Sequence, residues 1–95
     1  MEIITDCISP HVKEAREGHM QLVWRPPSKE QHRTRVVAWT CRCREISYEL
    51  CRAAGQSFIR RSRHGEEERT IHETYRWPAH KADEVWKALL EGEVV

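Results

Sequence analysis

"EISYELCRAAGQSFIRRS", residues 45–62, is the stretch whose reading decides the fold. Ile46, Tyr48 and Leu50 alternate with Ser47, Glu49 and Cys51, the period of two expected of a strand with one face on a core. Gly55 interrupts the run at "AAG", where glycine takes a positive φ at little cost. Beyond it the alternation resumes, with Phe58, Arg60 and Ser62 on one face and Ile59, Arg61 and Arg63 on the other. The stretch predicts a β-hairpin whose second strand carries arginine on both sides.

Working outward, "RVVAWTC" (35–41) is β-branched and aromatic, and "RTIHETYRW" (69–77) follows the polar turn "RHGEEE" (63–68). "HMQLVWR" (19–25) predicts one more strand, stopped by Pro26 and Pro27 at a sheet edge or loop. Near the C-terminus the pattern changes. Ala82, Val85, Trp86, Leu89 and Leu90 make one apolar helical stripe among Lys81, Asp83, Glu84, Lys87 and Glu91. Pro78 suits the first turn and Gly92 can end the helix in the left-handed region, which predicts a helix over about 78–91. "SPHVKEAREG" (9–18) carries a cap in Ser9, Pro10 at the first position and a stop in Gly18, and predicts a short helix with little apolar content.

The fold class that results is α+β: an antiparallel β-meander of four to five strands, packed on one face by the C-terminal amphipathic helix. Ninety-five residues suit a single domain, 1–95, with 1–19 as a loosely ordered arm or short helix and 26–34 as a mobile loop. Of the four tryptophans, Trp86 is assigned to the core, while Trp24, Trp39 and Trp77 fit either the core or the open face.

No apolar run approaches the roughly 20 residues that span a bilayer, and the first residues lack a signal-peptide pattern. The expected location is cytoplasmic, where thiols stay reduced and a disulfide is not expected. The usual Cys-x2-Cys knuckle is missing, so the expected cofactor is none. The metal alternative is zinc held by Cys41, Cys43, Cys51 and Cys7, or by some of these with a histidine such as His11 or His72.

The net charge of +1 conceals a partition. Residues 25–63 hold ten basic side chains against three acidic ones, a balance of +7, and the flanking segments are acidic. Nine of those ten are arginine, whose planar fork pairs two-pronged with phosphate or carboxylate. Arg42, Arg44, Arg52, Arg60, Arg61 and Arg63, with Trp39 beside them for stacking, are therefore the expected binding residues. The reading is a small non-enzymatic module that binds nucleic acid through an Arg-rich sheet edge and hairpin. The alternative is a regulatory or inhibitory protein that docks on an acidic protein surface or pairs its strand edge with a partner; a homodimer suits either. No nucleophile elbow, phosphate loop or metalloprotease motif occurs. Metal-free ribonuclease chemistry, using His72 with Arg61, Tyr75, Arg76 or His64, is the enzymatic reading that fits least badly, although His72 and Glu73 fall on opposite strand faces.

Overall fold

The hairpin forms, and its turn is tighter than Gly55 alone implies. In a computed structural model, which describes residues 10–27, 33–65 and 68–95, both Ala54 (φ 51°) and Gly55 (φ 78°) occupy the left-handed region. Two successive positive φ values twist a two-residue turn in the same sense as its strands, which is why this geometry closes hairpins. The register runs from Ala53 opposite Gln56 to Ile46 opposite Arg63 without a break.

Four antiparallel strands follow one another across the sheet: β1 (Arg35–Trp39), β2 (Ile46–Ala53), β3 (Gln56–His64) and β4 (Arg69–Glu73). A bulge in β1 between Val36 and Ala38 lets both Val37 and Ala38 pack toward the helix. Beyond β4 the chain keeps to β3: Trp77 and Ser57 exchange backbone hydrogen bonds of 2.8 Å each way. The Ile59 amide also donates to Thr74 Oγ1 at 3.0 Å. Pro78 then starts α1 (Ala79–Leu90), which crosses the sheet. Ala82, Trp86 and Leu89 of α1 bury against Leu50 and Ile59, and this is the main core. The stripe of the C-terminal helix and the inward face of β2 were both legible as periodicities, and they meet as a period of 3.6 meets a period of 2.

The opposite face of the sheet is not simply solvated. Cys51, Ala53 and Phe58 are buried there beside Val36, and the Arg76 guanidinium lies 4.4 Å over the Phe58 ring.

Two expected N-terminal elements do not form. Residues 10–18 contain no helix, because a segment whose apolar side chains are only Val12 and Ala15 has no stripe to bury. "HMQLVWR" is not a fifth strand either: it pairs only at isolated bridges, Met20 with Val94 in the tail beyond α1 and Arg25 with Glu73 of β4. Pro26 and Pro27 have no N–H to continue the pairing past Arg25. Instead the segment docks along the end of α1. The Lys13 amide donates to Leu90 O at 2.9 Å, Arg16 to Gly92 O at 2.8 Å and Leu22 to Val95 O at 2.7 Å. The first satisfies a carbonyl that the helix end leaves open, and the other two bond to the tail beyond it. Gly92 (φ 78°) is required twice over, since a Cβ there would collide with the Glu14 carbonyl oxygen. The charges agree with the docking. Lys13 Nζ lies 2.8 Å from Glu91 and Arg16 reaches both Glu91 and Glu93, and the Lys13 hydrogen bond holds the Glu91 carboxyl below its ordinary range. The acidic C-terminal end is thus matched largely by the N-terminal segment rather than by the basic middle of the chain.

Among the described residues no helix is long and apolar enough to cross a membrane. The part of the expected 26–34 loop at 28–32, and the part of the N-terminal arm at 1–9, lie outside the described residues.

Candidate functional site

Strand alternation sends the two central arginines of β3 to different environments. Arg60 stands opposite Glu49 on β2 and Glu73 on β4. Its guanidinium lies 3.5 Å from each carboxylate, and all three side chains are largely buried. Arg61, the next residue, faces the helix side. It lies over the Trp24 indole at 4.5 Å, and Trp24 in turn packs on Tyr48 with ring centroids 5.9 Å apart. Burial pulls the Arg61 pKa below its ordinary value; Tyr48 opposes that pull and the like charge of Arg63 adds to it. Burial likewise pushes the Tyr48 hydroxyl up, against the opposing fields of Arg61 and Arg63.

The β3–β4 register places Arg61 opposite His72 and Arg63 opposite Thr70. These four side chains line a cleft of about 150 Å³. Among the described residues no carboxylate approaches Arg61 or Arg63 within ion-pair distance. Glu73 follows His72 in sequence but points to the far face, where it serves Arg60. Among the described residues no carboxylate pairs with His72 in the cleft.

The other expected binding residues are dispersed. Arg42 is two-thirds exposed and 3.8 Å from Glu49. Trp39 stands opposite Glu49, half exposed, on the Arg60 face. Stacking by Trp39 is thus separated by the thickness of the sheet from Arg61 and Arg63. Arg52 is near the hairpin tip, where it faces Asp83 of α1 at 3.9 Å. Arg44 donates to the Val12 carbonyl at 2.8 Å through Nη1, a neutral partner that leaves its charge unmatched. The His64 amide donates to Glu45 O at 2.8 Å, so the end of β3 that bears Arg63 abuts the turn bearing Arg44. Of the six arginines, the fold leaves Arg44, Arg61 and Arg63 at one end of the sheet and diverts Arg42, Arg52 and Arg60.

Sequence reading missed Trp24 and Thr70 as partners of this cleft, and considered His72 only for catalysis or as a metal ligand. The signal that could have found Thr70 and His72 was the register: with a short β3–β4 turn, positions equidistant from it must face each other.

The thiols separate as well. Cys41 and Cys43 lie in the β1–β2 turn, and with His11 they bring three ligand atoms within 4.8 Å of one another. Cys51 is not part of this group. Thr40 pairs with Tyr48 at the turn, so Cys51 is three residues further along β2, roughly 10 Å away, and on the opposite face among Ala53 and Phe58. Burial pushes its thiol up to about 11, with smaller opposing contributions from nearby Arg60 and Arg76 and reinforcing ones from Glu49 and Glu73. His72 is in the arginine cleft, and Cys7 lies outside the described residues.

No protein-family model, curated protein or solved structure matches the chain. The functional reading therefore stands on geometry and charge.

Proposed function

We propose that this chain is a non-enzymatic module that binds single-stranded nucleic acid, gripping backbone phosphates in the cleft between β3 and β4. One observation carries the reading: Arg61 and Arg63 share a cleft of about 150 Å³ with Thr70 and His72 and have no carboxylate partner among the described residues. Two guanidinium groups of like charge, one of them partly desolvated, repel each other until an anion enters between them. A phosphate offers oxygens to both forks and to the Thr70 hydroxyl. Arg44, at the same end of the sheet, extends the positive surface toward a neighbouring phosphate. Trp24 already stacks under Arg61 and keeps the guanidinium plane in place, which lowers the entropy cost of each hydrogen bond to the ligand.

The test is fluorescence anisotropy with labelled single-stranded RNA and DNA over a range of salt. Affinity is expected to fall as salt rises, with a log–log slope of about −0.7 per phosphate contacted. The Arg61→Ala/Arg63→Ala double variant is expected to bind about tenfold or more weakly and to flatten that slope by about 1.4. Undetectable binding, or a salt slope unchanged in the double variant, rejects the proposal. Capture of an acidic protein in place of nucleic acid would return the cleft to the docking alternative.

A further inference from the structure

We propose that His11, Cys41 and Cys43 form a zinc site that clips the N-terminal segment to the β1–β2 turn. His11 Nε2 is 3.0 Å from Cys43 Sγ, and the ligand atoms of all three residues fall within 4.8 Å of one another. Tetrahedral zinc, with Zn–S near 2.3 Å and Zn–N near 2.0–2.1 Å, calls for donors about 3.5–3.8 Å apart. The observed separations, one of 3.0 Å and none above 4.8 Å, lie close to that spacing.

The backbone is already held in place on both sides of the cluster. The Cys41 amide donates to Pro10 O at 2.9 Å, next to the residue that supplies the imidazole. Arg44 Nη1 donates to Val12 O at 2.8 Å on the other side. Residues 10–12 and 41–44, about 30 positions apart in sequence, are thereby aligned by hydrogen bonds that do not involve the ligand atoms. Loop closure over that distance is the entropy cost that a metal clip offsets. The donor set argues for zinc: two soft thiolates and an imidazole suit it, whereas magnesium and calcium take oxygen ligands. Arg42 and Arg44 flank Cys43 in sequence and offset the negative charge that thiolates bring.

The sequence pattern offered these ligands among a wider set, because they come from a turn and a distant segment, with Cys-x-Cys in place of the usual knuckle. The proposal is independent of nucleic-acid binding and is read by metal alone. The full chain, purified under reducing conditions with zinc present, is expected to carry one equivalent by native mass and elemental analysis. Titration with Co²⁺ is expected to give the thiolate charge-transfer bands and intense visible bands of a tetrahedral sulfur-ligated ion. In competition with a chromophoric chelator, the Cys41→Ser/Cys43→Ser double variant is expected to bind zinc about 100-fold or more weakly. Cys51→Ala, on the other face, is expected to retain full affinity. Should the double variant fail to fold, the Co²⁺ spectrum and chelator competition on the unaltered chain still decide. A folded protein without stoichiometric zinc, or Co²⁺ binding that shows no thiolate bands, overturns the site, as does equal affinity in the double variant.

Discussion

Arg60 and Arg61 are adjacent, chemically identical and in the same strand, yet one is committed and the other is available. Arg60 is held between Glu49 and Glu73, three strands contributing one charge each to a compact row. Arg61 rests on Trp24 beside a second arginine, with no carboxylate near it among the described residues. The difference teaches that the count of arginines in a strand does not measure its capacity for anions. What matters is which face each one takes and what the neighbouring strands place opposite it. A face where the partners are acidic spends its arginines on stability, and a face where the partners are Tyr48, Thr70 and His72 leaves them without a counter-charge among the described residues.

The sharpest way to break this comparison is to truncate each arginine in turn and follow urea unfolding. Arg60→Ala leaves two largely buried carboxylates without their cation, and a loss of about 3 kcal/mol is expected. Arg61→Ala removes a cation–π contact at the rim of the core, and a loss of about 1 kcal/mol or less is expected. Equal costs would mean that both arginines are structural and that the cleft is not reserved for a ligand.

A second experiment asks whether the open environment of Arg61 depends on the docked N-terminal segment that supplies Trp24. Gly92→Ala forces a left-handed conformation on alanine and drives its Cβ against Glu14 O. A loss of about 2 kcal/mol is expected, with faster hydrogen exchange at the Arg16, Met20 and Leu22 amides that bond to residues 92–95. Unchanged exchange at those amides would show that the segment docks without the close approach at Gly92.

The smallest effect concerns Cys51, which shares the committed face with Arg60. Its folded pKa is raised to about 11, above the ordinary thiol value of about 8.5. The folded state therefore keeps a proton that the unfolded chain gives up. This contribution to stability is fully present below about pH 8.5 and is lost as pH rises toward 11. Alkylation under native conditions at pH 8 is expected to spare Cys51 until the protein unfolds. Ready modification of the folded chain at Cys51 would show that its face of the sheet opens, and would blur the contrast between the two sides.

Much of the fold could be read from the chain. The alternation in 45–62 and the stripe of Ala82, Trp86 and Leu89 each have one physically reasonable solution, because each leaves a single apolar face that must be buried. The N-terminal segment misled for the same reason in reverse. Ser9, Pro10 and Gly18 are helix punctuation, but without an apolar stripe between them the backbone donors found better acceptors at the end of α1. Of the candidate site, the sequence located the arginines but pooled them, and it held the candidate metal ligands as a loose set that included Cys51.

By itself, then, the sequence determined the four strands and the C-terminal helix, their order and the alternation that splits Arg60 from Arg61, since these follow from periods that any local stretch displays. Only the tertiary structure decided which carboxylate meets which arginine, which histidine joins Cys41 and Cys43, and where the N-terminal segment lies. Those outcomes depend on register and on contacts between residues far apart in sequence, and a one-residue change in pairing would have reversed every one that involves a strand.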